Sequence, residues 1–366
     1  MRAIVIGTGA AGASATAELA RRGHHVTALE RFGRGHVMGS SHGATRVFRV
    51  SYRKRPYTEW AGAAIPLWRQ LEERSGELLL EQTGQIDHGV DEALAEITAN
   101  YEAGGWSYER MSAGAAMDRW PGMRFETDVL CSPDGGRVFA DRTIEALLRL
   151  AEADGADLHF DEPALAIARD GSGVVVATNR GDYAADVVVV AAGSWVTELQ
   201  GWADFGITLP AFSVTEQFPV HFPIRDGFTF PSWINHDDGE ASDYHFHYGA
   251  YGLESPGEGL KVGVDALENF VDLNTRTLEV PAEAMGIAAE YADRWLPGVD
   301  TTTGSAVSCL FTMTEDSDFV LDRSGPIIVA SPCSGHGFKF TPILGRILAD
   351  LAEDHDHGVD QWRLPA

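Results

Sequence analysis

Apolar and polar positions along this 366-residue chain change period several times, and each change predicts an element. The runs Ala3–Ile6 and Val26–Leu29 are short and continuous, as buried strands are, and the alanine-rich stretch between them has helical spacing. Helical periodicity returns over 59–76 through Trp60, Ala64, Leu67 and Leu71, with Gly76 as its stop, and 78–87 reads as strand, turn, strand. A helix is expected over 91–104, then a segment 106–120 closed by Pro121-Gly122, strand and turn over 129–138, and a helix over 141–154 capped by Asp141. Runs at 157–160, 164–169 and 173–178, with Asp170-Gly171 as a turn, predict a small antiparallel sheet. Four consecutive valines, 187–190, followed by Gly193 read as a strand buried on both faces of a parallel sheet. From 211 to 307 polar and apolar residues alternate, with many aromatics, as in an antiparallel sheet carrying a pocket; a helix is expected from Leu278 to Trp295. Over its last seventy residues the chain is expected to return to the first domain, with a strand at 326–330 and a closing helix over 342–352.

The glycines give the first elements a chemistry. Gly7, Gly9 and Gly12 are spaced G-x-G-x-x-G between strand and helix, and Glu30 ends the second strand. In a dinucleotide-binding βαβ unit Gly7 permits the tight turn, Gly9 lets backbone approach a pyrophosphate, and Gly12 lets helix and strand pack closely. The helix N-terminus then faces the phosphates, and Glu30 can accept from an adenosine ribose while repelling a 2′-phosphate. The motif alone leaves NAD and FAD open. The second glycine-ended strand, 187–193, favours FAD, and Gly335 and Gly337 before the last helix repeat the phosphate-loop pattern. The fold expected is α/β. A discontinuous Rossmann-type FAD-binding domain (1–81, 141–210, 314–366) is joined by a substrate domain with a mostly antiparallel sheet (82–140, 211–313).

Composition narrows the partners. The formal net charge of −26 argues against nucleic acid and anionic membranes as ligands. Against that background four arginines and two histidines within residues 31–49 suggest a loop wrapped against something anionic. Three cysteines, Cys131, Cys309 and Cys333, make no disulfide framework, and no apolar run is long enough to span a bilayer, so a soluble cytoplasmic protein without a metal site is expected.

Gly39-Ser40-Ser41-His42-Gly43-Ala44-Thr45-Arg46, Gly259-Leu260-Lys261-Val262-Gly263, Cys309, and Ser334-Gly335-His336-Gly337-Phe338-Lys339-Phe340 occur in that order, and together the chain resembles the monomeric sarcosine oxidase family of D-amino-acid-oxidase-like flavoproteins. The resemblance spans essentially the whole chain. It implies FAD attached covalently through Cys309, Lys261 near the flavin ring where its charge promotes electron transfer to O2, and Arg49 with Lys339 as the clamp for a substrate carboxylate. It further implies positive charge beside the flavin from His42 and Arg46, cofactor contacts from Arg31, Ser41, Ala164, Gly193, Gly335, Gly337, Phe338 and Lys339, and pocket closure by Tyr248. Asp265 stands where sarcosine oxidase has a pocket histidine, and Phe311 where it has a tyrosine. Asp265, Pro133–Gly136 and Phe340–Arg346 instead resemble the nikkomycin-pathway imino-acid oxidase. The activity implied is oxidation of an N-methyl or cyclic amino acid by a monomer, with O2 reduced to H2O2, in one two-electron step or two. Three alternatives stay open on the residues: a flavin dehydrogenase with another acceptor, an NAD-dependent reductase, and a flavin-binding protein without turnover.

Overall fold

The computed structural model describes residues 1–236, 249–264, 269–356 and 358–365. Its N-terminal unit is strand β1 (Arg2–Ile6), helix α1 (Ala10–Arg21) and strand β2 (His25–Leu29). These strands lie within a six-stranded sheet ordered Val320–Ser324, Ile327–Ser331, Val187–Val190, β1, β2, Asp157–His159. All neighbours are parallel except the outer pair Val320–Ser324 and Ile327–Ser331. The valine run is buried throughout because helices cover one face and the small 164–185 sheet the other.

Alanine and glycine set how closely these layers approach. A Cβ on Gly12 would stand 1.8 Å from the Gly7 carbonyl oxygen, and one on Gly345 would stand 2.2 Å from Ser14 Oγ. Thus α1 is clamped between β1 and the helix Thr341–Ala352, and the contact is sealed by Ser14 Oγ donating to the Thr341 carbonyl at 2.6 Å. Gly7 itself has φ 93°, and its Cβ would lie 2.5 Å from the Ala191 carbonyl oxygen.

An eight-stranded sheet forms the other half: Ser305–Ala306, Val220–Phe222, Gly259–Val264, Ala250–Ser255, Ser232–His236, Gln85–Gly89, Val129–Ser132 and Glu109–Met111. It is antiparallel except where Ser232–His236 runs parallel to Gln85–Gly89. Between the two large sheets run strand β3 (Thr45–Phe48), paired with Gly136–Phe139, and a two-stranded ribbon pairing Ser213–Gln217 with Cys309–Met313.

Several sequence expectations shift. Helix α2 (Arg55–Ser75) begins four residues early because Pro56 pre-sets its first turn; it ends, as expected, at Gly76 with φ 73°. Asp141 is not a cap: the helix Ala140–Ala153 starts after Phe139, and Asp141 Oδ1 accepts from Gly43 N at 2.7 Å. The run at 157–160 leaves the antiparallel sheet and joins β2 as a parallel edge strand. The helix expected from Leu278 begins at Ala282, since Pro281 is its N-cap and Leu278 has φ 64°. Cys309–Met313 pairs with Ser213–Gln217. Among the described residues no helix is long and apolar enough to cross a membrane.

Gly12→Val places two methyl groups where a backbone oxygen already stands, beyond the ~1–3 kcal/mol of ordinary overpacking. We expect the purified variant to have lost most of its flavin absorbance per mole of protein and to melt at lower temperature. Flavin content like that of the parent chain would refute the packing role.

Candidate active site

One cavity of about 760 Å³ runs from the glycine turn after β1 to the eight-stranded sheet. Its first end is made by Gly7, Gly9, Glu30, Arg31, Ala164 and Gly193. Gly12 does not line it and acts only through packing. Glu30 is 5% exposed; Oε2 accepts from Thr8 N at 2.8 Å and Oε1 from Phe32 N at 3.0 Å. Burial works to raise its pKa, but His36 and the Thr8 and Phe32 N–H groups outweigh it, so the carboxyl stays below its usual range and remains an ionised acceptor. Arg31 is drawn sideways by Glu198 at 2.8 Å and lies 5.8 Å from the Trp195 ring.

The middle is the loop 31–49 folded back over α1. Ser41 Oγ accepts from Ala10 N at 3.0 Å and would be 3.1 Å from a Cβ on Gly9, so a side chain there would press on that hydroxyl. Arg46 donates to the carbonyls of Ser40 (2.9 Å), His42 (2.6 Å) and Thr45 (2.8 Å), and its Nη2 reaches Cys309 Sγ at 3.8 Å. Phe338 lies under the same guanidinium, 5.9 Å away. His42 lines the cavity, but burial and the charges of Arg46, Arg276 and Lys261 push its pKa down to about 4. It is therefore neutral at pH 7, and the positive charge expected from it rests on Arg46 alone.

At the far end Lys261, Arg49, Lys339 and Cys309 meet although more than two hundred residues separate the first two. Lys261 is 3% exposed and donates to the Thr45 carbonyl at 2.9 Å. Burial, then the charge of Arg46, brings its pKa down to about 7, against the pull of Glu258, Cys309 and Asp141. Arg49 stacks on Tyr52 at 4.0 Å and donates to the Ser51 carbonyl. Lys339 donates to the His336 carbonyl at 2.7 Å and stands 5.5 Å from the same Tyr52 ring. Burial, then Arg49, holds its pKa well below the usual lysine value. Gly335 and Gly337 line this end, and Phe311 packs so closely that a Cβ on Gly335 would sit 2.9 Å from its ring. Tyr248 and Asp265 fall outside the described residues.

Sequence reading missed His221 and Glu258, which line the cavity beside Lys261. Neither stands in a motif; only strand register, His221 opposite Lys261, brings them there. It also missed Arg276, whose side chain is 1% exposed and pairs with Glu216 at 2.5 Å while donating to the Met38 carbonyl and Ser308 Oγ.

These residues fit FAD. Gly7 and Gly9 leave the turn after β1 without side chains toward the cavity, Glu30 is an ionised acceptor at that end, and buried His42 Nε2 has no hydrogen-bond partner among the described residues. Comparison with known proteins agrees. The family described as "FAD dependent oxidoreductase" matches residues 2–351. Monomeric sarcosine oxidase of Streptomyces avermitilis is 31% identical, over 95% of this chain and 92% of that protein. N-methyl-L-tryptophan oxidase of Yersinia pestis is 29% identical over 98% and 96%. The open form of NikD, an amino acid oxidase of nikkomycin biosynthesis, superimposes with a TM-score of 0.85 at 28% identity, covering 99% of this chain and 96% of that one. The glycine turn, the buried carboxylate after β2 and a match over nearly the whole length lead to one assignment: the chain belongs to the FAD-dependent oxidoreductase family of the D-amino-acid-oxidase type.

Proposed function

We propose that this protein is an amine oxidase acting on a secondary-amine amino acid, N-methyl or cyclic, and forming an imine with O2 reduced to H2O2. The observation that carries the reading is the pair of cations, half-buried Arg49 and buried Lys339, converging on Tyr52 in the cavity that also holds Lys261 and Cys309. FAD bound in this cavity would supply the redox chemistry, as the acceptor for the hydride on the carbon beside nitrogen and the donor of electrons to oxygen. The side chains supply the rest. Arg49 and Lys339 hold the carboxylate, which fixes the amine and its neighbouring carbon; the amine has only to be neutral when bound. Lys261 provides the charge beside which O2 is reduced.

Cys309 is the proposed point of covalent attachment. It is 6% exposed, lines the cavity, and alone of the two cysteines there has the Arg46 guanidinium on its sulfur. Acid-precipitated protein should stay yellow, with flavin on the Cys309 peptide. Cys309→Ser should release the colour into the supernatant, and Cys333→Ser should not. Release from the parent protein would remove the covalent assignment.

Lys261→Met should slow reoxidation of the reduced enzyme by roughly 10²-fold or more while sparing its anaerobic reduction. Equal loss in both half-reactions would end the oxygen-activating role.

Lys339 makes carboxylate binding pH-dependent. A bound carboxylate favours the protonated amine, so once pH exceeds the lowered pKa of Lys339, binding takes up a proton and weakens by about tenfold per pH unit. Titrating the flavin absorbance with a planar, non-oxidisable five-ring carboxylate should show this limb. Lys339→Met should raise the Kd by ~10²-fold and flatten the limb; a pH-independent Kd in the parent protein would contradict the clamp.

A further inference from the structure

Lys261 does not sit alone in its wall of the cavity. Thr45, whose carbonyl it contacts, donates its hydroxyl to Ser255 Oγ at 2.9 Å, and Ser255 Oγ donates to Glu258 Oε2 at 2.7 Å. Glu258 occupies the turn joining Ala250–Ser255 to the strand that carries Lys261. Its N–H bonds the Ser255 carbonyl at 2.9 Å, which holds the side chain over the cavity. The string is buried at Thr45 and Ser255 and opens to solvent only at Glu258, whose side chain is 41% exposed.

We infer that Glu258 is the positioning residue of Lys261: through the Ser255–Thr45 string and its own negative charge, it keeps the buried ammonium protonated and aimed at the site of oxygen reduction. The inference rests on the oxygen-activating reading of Lys261 given above.

Among the charges facing Lys261, Glu258 acts most strongly to keep it protonated, ahead of Cys309 and Asp141. Arg46 of β3 opposes protonation, and Cys309 lies on the ribbon beneath. His42 is neutral. Asp141, on the helix Ala140–Ala153, has one carboxylate oxygen on Gly43 N. His221, from the neighbouring strand, stands 3.4 Å from Glu258 Oε2, but burial and the Lys261 charge push its pKa down to about 4. A neutral His221 leaves the Glu258 carboxylate uncancelled. Glu258 is the foremost of the groups that raise the Lys261 pKa, and with that pKa near 7 a modest change in nearby charge alters how much of the lysine is protonated.

The test uses the flavin-loaded enzyme. The pH dependence of reoxidation and a pH titration of the oxidised flavin absorbance, a reporter of nearby charge that needs no turnover, are measured for the parent protein, Glu258→Gln and Glu258→Asp. In Glu258→Gln the alkaline limb of both should move to lower pH by about one unit, and Glu258→Asp should recover at least half of the shift. A limb that stays in place in Glu258→Gln, while Lys261→Met still slows reoxidation, overturns the role of Glu258 alone. Reoxidation indifferent to Lys261→Met overturns both.

Discussion

Arg46, Arg49, Lys261 and Lys339 are all held by main-chain carbonyls, and among the described residues none of them is ion-paired with a carboxylate. The rest of the site depends on this choice of partner. A carbonyl offsets part of the cost of burying a charge without cancelling the charge. In a chain of formal net charge −26 the result is a local positive field at one end of one cavity, where an anion gains the most. Arg276, close by but paired with Glu216, shows the alternative: a buried cation neutralised by a carboxylate and left to organise backbone.

The loop 31–49 is where that organisation matters. Residues 36–44 form no helix or strand, yet their carbonyls and N–H groups are taken up from four directions. Ala10 N binds Ser41, Asp141 takes Gly43 N, Arg276 takes the Met38 carbonyl, and Arg46 closes on Ser40 and His42. Such a loop has no shape of its own; it takes one from α1, the helix Ala140–Ala153, the segment around Arg276 that precedes the helix Ala282–Trp295, and β3. Arg31, Arg46 and Arg49 of this loop line the cavity, whereas Arg34 turns away to Glu145 and Glu152.

The two ends of the cavity also differ in how they are assembled. The glycine-turn end comes mostly from one stretch, 2–36, in which strand, turn, helix and acid follow in order, with Ala164 and Gly193 added from the small sheet and the end of the valine strand. The reactive end draws Arg49, Lys261, Cys309 and Lys339 from four separate segments and is completed by Glu258 and His221. Local geometry suffices for the first. The second needs two sheets and a ribbon in register.

This difference explains what could be read in advance. The glycine turn, Glu30, the valine strand and the ends of helices at Gly76 and Gly104 were legible because each depends on neighbours within a few residues, where φ, packing period and capping are encoded. The charged loop was legible as a site by its contrast with an acidic chain. Cys309, Lys261, Arg49 and Lys339 were singled out through their resemblance to a family, since nothing local distinguishes a cavity lysine from a surface one. Tertiary structure alone decided that Asp141 is spent on Gly43 rather than on a cap, and that 157–159 joins the parallel sheet. It also decided that His42 is neutral and that Lys261 has Glu258 for a neighbour. Desolvation and the distance between charges set protonation, and both are properties of residues brought together across the chain; a sequence specifies which groups are present but not which of them share a dry wall.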